Sequence, residues 1–427
     1  MLLLLLVVQS VVGWVVSCSG GDELSPSQQF QALLSQSGYQ LNSPREMLLR
    51  YKIFARNLEL VKELNSQNLG YTATANKFAL LSLQEIELYH GINRTQPLTT
   101  PSEGAAGGAT TLPEGAAGGA TTLPEGAAGG ATTLPEGAAG GATTPPPSVS
   151  WVDAGHVTSV KNQDGCGACW TFGPTVAIEG AYKRLTGRLK QFSNQELLDC
   201  VYDEHTYNAC HGGLESRAFQ FVIDRRRLAL WRDYPYEPVD RRCRSAGKRD
   251  GLVGAKVLSF SRNDGSEAGT ISRLSQGPLS VAFHAVLSIH YYKRGIYRSD
   301  KCSGAANHAV AAVAYTPQYI LIKNSWGADW GDQGLFKFGR GDYACGIHLS
   351  DNNFQVVLQT TESKDTDPED EALVYEREVT DPPTAPTVSP TTSSGGPCVD
   401  RSEGCLQYFC NFYPNYKTDC RKTCGLC

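Results

Sequence analysis

Three polar side chains that lie far apart in the chain could together perform nucleophilic catalysis. Cys169 stands in the run Cys166-Gly167-Ala168-Cys169-Trp170, and His308 and Asn324 follow it by 139 and 155 residues. The attacking form of cysteine is the thiolate, which an ordinary thiol provides only sparsely at neutral pH. An imidazolium and a helix N-terminus beside Cys169 would both favour the anion. These residue types predict attack on a carbonyl carbon, proton transfer from His308 to a leaving amine, and hydrolysis of the thioester by water.

The residues alone leave two other uses of the cysteines open. Cys166 and Cys169 form a CxxC pair, which also occurs in redox centres, although polar residues rather than an apolar strand precede it here. A zinc site would need a second close pair of ligands, and Cys200 and Cys210 are poorly spaced for it. We therefore predict neither a metal site nor a cofactor.

Residues 148–358 resemble the catalytic domain of the papain and cathepsin family over essentially their whole length. The run that ends at Trp170 matches the family signature C-G-[SA]-C-[WY], and Asn307-His308-Ala309 and Asn324-Ser325-Trp326-Gly327 follow in the family's order. The resemblance implies an α+β papain-like fold with two lobes, one helical and one β-barrel-like. It also implies a cysteine-type endopeptidase that cleaves polypeptide substrates.

The same resemblance implies roles for the residues around the nucleophile. Asn324 would orient the His308 ring through its side-chain oxygen, and Trp326 would shield that hydrogen bond. The side-chain amide of Gln163 and the backbone N–H of Cys169 would bind the oxyanion, which needs donors that are fixed before the reaction.

The resemblance also outlines a substrate site. The backbone of Gly213, in the run His211-Gly212-Gly213, would pair with an extended peptide. The second subsite, which receives the side chain two residues before the cleaved bond, would be lined by Leu214, Ala282, Ala306 and Ser350. This lining is apolar and contains no acid, so we predict hydrophobic side chains rather than arginine at that substrate position.

The chain contains 14 cysteines, a number typical of an exported protein held by disulfides rather than of a cytosolic enzyme. By resemblance, three bridges would form in the catalytic region, between Cys166 and Cys210, Cys200 and Cys243, and Cys302 and Cys345. Cys169 would then be its one free thiol.

Gly173-Pro174 is a departure from the family pattern, because the helix that should begin at Cys169 normally continues in small or apolar residues. An interior proline removes a hydrogen bond and clashes one turn back, at a cost of about 3 kcal/mol unless the helix kinks or restarts. A displaced Cys169 would lower activity.

Residues 28–92 have the periodicity of helices and resemble the inhibitory pro-domain of cathepsin-L-like proteases. The matching residues recur on one helix face and are Glu46, Arg50, Phe54, Asn57, Val61 and Asn65. Asn76 and Phe78 match a second motif of these pro-domains, in which Thr74 and Leu80 replace the family's Gly and Asp. We expect the segment to fill the cleft as an intramolecular inhibitor. Because the Asp of the motif is missing, we do not expect acid to activate the protein in the family's usual way.

The remaining segments have compositions that do not predict a core. Residues 1–19 are apolar and resemble a secretory signal peptide, with a signal anchor as the alternative. Residues 101–147, which contain four copies of an 11-residue Gly/Ala-rich unit, and the acidic, Pro/Thr/Ser-rich residues 359–397 are predicted linkers. Asn93 opens the only glycosylation sequon. We predict a secreted or lysosomal/endosomal protein without a membrane span once the signal peptide is removed.

The last 30 residues, 398–427, contain six cysteines and almost no aliphatic core. Six cysteines allow 15 pairings, but the segment resembles a ShK toxin-like module, which implies bridges between Cys398 and Cys427, Cys405 and Cys420, and Cys410 and Cys424. Asn415-Tyr416 stands where channel-blocking members have Lys-Tyr. A protein-interaction role is therefore favoured over a channel partner.

The composition agrees with an enzyme rather than a nucleic-acid binder. The 427 residues are 41% hydrophobic and carry a formal net charge of −5, so no basic surface is predicted. We predict a monomeric cysteine endopeptidase made as a zymogen. The alternative is a binding protein in which the papain-like domain is weakly active and the tail module carries the function.

Overall fold

The computed structural model describes residues 24–92, 144–202, 209–302, 304–341, 345–362 and 375. The predicted signal peptide, the glycosylation sequon, the tail module with its three bridges, and almost all of both linkers lie outside these residues. No helix in the described ranges combines the length and apolar character that a membrane span requires.

The helices of the described residues fall in the pro-region and on one side of the catalytic region. They are α1 (Pro26–Ser37), α2 (Pro44–Ser66), α3 (Leu83–Glu87), α4 (Cys169–Thr186), α5 (Asn194–Cys200), α6 (Glu215–Arg225), α7 (Glu267–Leu274) and α8 (Leu287–His290). Short 3₁₀ turns occupy Lys77–Leu80, Ala209–His211 and Ser350–Asn352.

The strands form one mixed sheet, which is largely antiparallel. They are β1 (Tyr71–Ala73), β2 (Val149–Ser150), β3 (Ala255–Arg262), β4 (Leu279–Phe283), β5 (Tyr292–Tyr297), β6 (His308–Tyr315), β7 (Tyr319–Lys323), β8 (Leu335–Gly339) and β9 (Asn353–Thr360). Their order is β1-β5-β8-β7-β6-β4-β9-β3, and β2 pairs with β6. The pro-region therefore contributes the outermost strand, β1, to the sheet of the catalytic region.

Two large apolar cores divide the catalytic region into the two expected lobes. Helices α4, α5 and α6 enclose the first core around Trp170, Tyr182 and Phe219. The strands enclose the second core, which also includes Phe30 and Phe54 of the pro-region helices. The pro-domain is thus packed continuously with the strand-rich lobe.

Helix α4 lies between the lobes and runs through Pro174 without interruption. The proline removes the hydrogen bond that its N–H would have given to the carbonyl of Trp170. The preceding Gly173 is needed for close packing, because a Cβ there would lie 2.5 Å from Ser280 Oγ and 2.9 Å from the Val310 carbonyl oxygen. The helix therefore meets the strands directly at the turn that follows Cys169.

Three disulfides join the described cysteines in the pairs that the family resemblance implied. Cys166 bonds to Cys210, Cys200 to Cys243, and Cys302 to Cys345. Among the described residues, Cys169 is the one cysteine with a free thiol, and it is buried.

One face of α2 holds the rest of the pro-domain through side-chain contacts to backbone. Arg50 makes a two-pronged ion pair with Glu85, at 2.5 and 2.6 Å, and donates to the Leu80 carbonyl. Asn57 donates to the carbonyls of Ala79 and Leu81, and Asn65 exchanges two hydrogen bonds with Ala73. The face predicted from the sequence is therefore the one that organises the inhibitory segment.

Candidate active site

Cys169 is the first residue of α4, and its side chain is fully buried. No side chain caps this helix end, so the partial positive charge of the first turn faces the sulfur. The helix packs against β6, which begins at His308. Cys169 and Ala309, the residue after His308, belong to one buried cluster.

His308 and Asn324 meet because β6 and β7 are antiparallel neighbours. The start of β6 and the residue after the end of β7 lie at the same end of the sheet. His308 Nε2 is 2.8 Å from Asn324 Oδ1, and that oxygen also accepts the Ser325 backbone N–H at 2.8 Å. The amide is therefore oriented with its oxygen toward the imidazole, so Nε2 carries the ring proton. Nδ1 is left buried without a hydrogen bond among the described residues.

Trp326 covers the imidazole from one side. Its ring is fully buried and stacks on His308 with centroids 4.6 Å apart and an interplanar angle of 27°. The ring keeps water from the His308–Asn324 hydrogen bond, which is stronger in such a low-dielectric environment.

Gln163 has its side-chain amide fixed in one orientation. Its Oε1 accepts from the Ser325 hydroxyl at 2.6 Å, and its Nε2 donates to the carbonyl of Cys166 at 2.8 Å. Nε2 also donates to the Tyr89 carbonyl oxygen of the pro-region at 3.0 Å. A backbone carbonyl of the pro-region thus accepts a hydrogen bond from the amide group that we predicted to bind the oxyanion.

The pro-region crosses directly over Cys169 at Gly91. The Gly91 carbonyl accepts the Gly213 N–H at 2.8 Å, and the N–H groups of Gly91 and Ile92 donate to the Asn307 carbonyl at 3.0 and 3.1 Å. A Cβ on Gly91 would lie 1.8 Å from the Gly167 carbonyl oxygen and 2.9 Å from Cys169 Sγ. Ile92 pairs in parallel with Gly213, so the predicted substrate-binding backbone is occupied by the chain's own pro-region.

A family model for papain family cysteine proteases matches residues 145–353, and a model for the cathepsin propeptide inhibitor domain (I29) matches residues 30–86. Cysteine proteinase 2 of Zea mays is 34% identical over 328 residues, with 75% of this chain and 81% of that protein covered. The chain is a member of the papain family of cysteine proteases.

Other relatives agree with this assignment. Papain of Carica papaya is 35% identical over 317 residues, with 71% of this chain and 80% of that protein covered. The solved structure of a recombinant stem bromelain precursor has a TM-score of 0.60 at 27% identity, with 79% of this chain and 98% of that chain covered. The predicted papain-like fold, cysteine protease class and inhibitory pro-domain are confirmed.

Cys169 of this papain-family chain is packed against alanines. Cys169, Ala282, Ala306 and Ala309 form one buried cluster, and Ile92 packs against it. The structure therefore brings together two of the four predicted lining residues and adds Ala309. The other two are not buried: Leu214 is half-buried at the start of α6, and Ser350 is exposed at the start of a 3₁₀ turn.

A buried acid contacts the strand that carries Ala282, although the sequence prediction contained no acid here. Glu215 is 3% exposed, and its carboxylate accepts a hydrogen bond from the Ser280 hydroxyl. Ser280 and Ala282 are two apart in β4 and so lie on the same face of the strand. The carboxylate is thus buried against the strand that carries Ala282.

Burial controls the charges of this papain-family site while the pro-region fills the cleft. It raises the pKa of the Cys169 thiol to about 12, opposed by the Ala309 N–H and reinforced by the Glu215 carboxylate. Burial also lowers the pKa of His308 to about 3, although the hydrogen bond to Asn324 opposes the shift. The closed zymogen therefore favours a neutral thiol and a neutral imidazole, not the ion pair that the residue types predicted.

Two histidines at the edge of the cleft were not identified from the sequence. His90 of the pro-region and His290 of α8 have their Nε2 atoms 3.2 Å apart. The signal available was the position of His90, which directly precedes the residues that cross the nucleophile. No cluster of three or more His, Cys, Asp or Glu side chains suited to a metal ion occurs among the described residues.

Proposed function

We propose that the processed chain is an endopeptidase that uses Cys169, His308 and Asn324 through an acyl-enzyme. The observation that carries this proposal is the extended pro-region over Cys169, whose carbonyl oxygens accept from Gln163 Nε2 and the Gly213 N–H. A substrate backbone has the same donors and acceptors. The site is therefore chemically suited to an extended peptide.

The proposed reaction begins when the pro-region leaves and the cleft opens to water. Hydration of the two groups then removes the burial that favours their neutral forms, and the Cys169 proton moves to His308 Nδ1. The thiolate sulfur attacks the carbonyl carbon, and the oxyanion accepts hydrogen bonds from Gln163 Nε2 and the Cys169 N–H.

The intermediate then loses the amine, which takes the proton from His308 Nδ1, and a thioester remains. A water molecule gives a proton back to Nδ1 and attacks the thioester carbonyl. The acid product leaves, and Cys169 recovers its proton. Asn324 accepts from Nε2 throughout and keeps Nδ1 directed at the sulfur.

The chemistry is tested by applying a fluorescent epoxysuccinyl peptide to the processed protein near pH 5. We expect one label for each molecule, attached to Cys169, together with hydrolysis of peptide substrates. A processed, folded protein that neither reacts nor hydrolyses peptides would contradict the proposal. That result would favour a binding protein whose function resides in residues 398–427.

We further propose a preference for hydrophobic side chains two residues before the cleaved bond. The β-branched apolar side chain of Ile92 packs against the cluster of Ala282, Ala306 and Ala309. In a positional peptide library, we expect Leu, Ile, Val or Phe to exceed Arg at this position by about tenfold or more, since burying each of these apolar side chains gains about 1.5–3 kcal/mol. Preferred cleavage of peptides that carry arginine at that position would contradict this prediction and would point to Glu215 as the recognising acid.

We also propose that the zymogen enters the secretory pathway and acts outside the cell or in an acidic endosomal or lysosomal compartment. The three bridges of the catalytic region support this proposal, because disulfides persist in oxidising compartments. Residues 1–19 would serve as the signal peptide.

A further inference from the structure

The contact between His90 and His290 fixes the protonation state of both rings. Asn307 is oriented by Ala285, whose N–H donates to Oδ1 at 2.7 Å and whose carbonyl accepts from Nδ2 at 3.1 Å. Asn307 Nδ2 is also 3.3 Å from His90 Nδ1. Because Nδ2 can only donate, His90 Nδ1 accepts, and the single proton of a neutral His90 ring lies on Nε2.

The same reasoning fixes His290. The Nε2–H of His90 points at His290 Nε2, which must therefore accept. His290 Nδ1 is 3.3 Å from the Leu287 carbonyl and donates to it. The hydrogen bonds therefore run, from donor to acceptor, from Asn307 to His90, from His90 to His290, and from His290 to Leu287. Every nitrogen in this arrangement is satisfied only when both imidazoles are neutral.

An added proton on either ring breaks this arrangement. Protonated His90 would turn an Nδ1–H toward the Asn307 amide protons, and protonated His290 would turn an Nε2–H toward the Nε2–H of His90. The opposed donors would also carry positive charge in a site where His290 is fully buried. Such an unpaired buried charge is strongly unfavourable.

Besides His90, two further residues of the pro-region contact His290. Its carbonyl accepts from Asn76 Nδ2 at 2.8 Å, and its ring contacts the Phe78 ring with centroids 5.0 Å apart. The ring also stacks on Trp326 at 4.7 Å, and Trp326 in turn stacks on His308. A change at the histidine pair therefore acts on the docking of the pro-region and on the catalytic imidazole together.

The other groups that face this pair increase the cost of a positive charge. His284 acts on His90 from the loop after β4, and both His90 and His308 act on His290. Lys77 and Asp329 are at the same interface but pair with each other at 3.7 Å. Leu80, where the family motif has an acid, is fully buried and carries no charge to respond to pH.

We propose that His90 and His290 form a pH-sensitive latch, which holds the pro-region in the cleft while both rings are neutral and releases it when His90 is protonated. The latch replaces the acid that the pro-domain motif lacks at Leu80. It concerns the closed zymogen and depends on the proposed function only where activity or labelling is the readout.

The direction of the pH effect follows from the shift at His90. Burial lowers the pKa of His90 to about 4 in the closed form, and His284 adds to the shift. A released pro-region returns this ring to an ordinary pKa of about 6.5. The latch is therefore at full strength above about pH 6.5 and weakens as the pH falls toward 4. From pH 7 to pH 5 the binding of the pro-region should weaken by roughly 20-fold.

The first test needs no catalysis and uses the full chain with Cys169→Ser. Histidine ring signals are followed by NMR from pH 7.5 to 3.5, and the His90 signal is assigned by its absence in His90→Gln. We expect His90 to titrate near pH 4, with concerted changes at His290 and Trp326. Titration of His90 near pH 6.5 in the closed zymogen would overturn the proposal.

The second test measures the rate at which an epoxysuccinyl probe labels Cys169 in the unprocessed chain. This rate is divided by the labelling rate of the processed enzyme at the same pH. This ratio cancels the pH dependence of Cys169 itself. We expect it to rise about 20-fold from pH 7 to 5, and less than about threefold in His90→Gln, whose amide donates without titrating.

The matched control is His156→Gln, because His156 is a partly buried histidine that contacts Trp151 away from the cleft. This variant should keep the full rise of the labelling ratio. An undiminished rise in His90→Gln would overturn the proposal. If neither chain labels, the proposed function fails, whereas the NMR titration still decides the latch.

Discussion

Replacing Cys169 by serine is expected to reduce peptide hydrolysis by the processed enzyme by roughly 10⁴-fold or more and to abolish epoxysuccinyl labelling. A serine hydroxyl does not ionise near neutral pH, and loss of the nucleophile removes the covalent route entirely. Binding and the oxyanion donors alone would account for the remaining rate. Initial rates on one hydrophobic peptide, with active sites counted in the unmodified enzyme, measure the effect.

The serine variant must also fold and remain a zymogen. Serine is nearly isosteric with cysteine, so its unfolding transition should match that of the unmodified chain, and the pro-region should stay uncleaved unless another protease is added. Asn324→Ala provides a graded comparison, because it removes only the group that orients His308. Hydrolysis or labelling in Cys169→Ser at more than a few per cent of the original rate would contradict the assignment of the nucleophile.

Replacing Gly91 by alanine is expected to open the zymogen. The added Cβ would lie 1.8 Å from the Gly167 carbonyl oxygen, so the pro-region must move away from the nucleophile. The move breaks two or three backbone hydrogen bonds to Gly213 and Asn307, each worth about 1 kcal/mol. Labelling of Cys169 in the unprocessed chain at neutral pH should therefore accelerate roughly 30- to 150-fold.

Gly38→Ala is the control for this prediction, because Gly38 also lies in the pro-region. Gly38 ends α1 with φ +65° and has no neighbouring atom within 4 Å of an added Cβ. Alanine there costs local strain of about 1 kcal/mol but touches nothing in the cleft, so labelling should stay slow. Equal acceleration in both variants would mean that pro-domain stability, not the crossing at Gly91, controls access to the nucleophile.

The sequence was most informative where function depends on residue type at a fixed place in the fold. Cys169, His308 and Asn324 could be singled out because each stands in a sequence motif of its own. The α2 face could be predicted as well, since a helix places residues three or four apart on one side. The match of Asn76 and Phe78 to a pro-domain motif likewise anticipated where the pro-region docks.

Other features could not be predicted because they depend on packing between distant parts of the chain. His90 and His290 are 200 residues apart, and only the docked pro-region makes them neighbours. From the sequence, Glu215 is an ordinary acid in the first turn of a helix, and only the packing of α6 against the strand that carries Ser280 buries it. The neutral state of Cys169 is likewise a property of the filled cleft, which residue type alone does not express.

The pairing of β1 with β5 has a consequence for the molecule after processing. Once the pro-region leaves, β5 becomes an open sheet edge with unpaired N–H and C=O groups, and Tyr292 and Tyr297 lose the ring of Tyr71 that contacts them. Such edges invite association between molecules. Lys293 and Arg294 are exposed on this strand, and their like charges would oppose edge-to-edge pairing. In the zymogen, the pro-region covers this edge. In the processed enzyme, resistance to association depends on the charges of Lys293 and Arg294, and it falls as salt screens them.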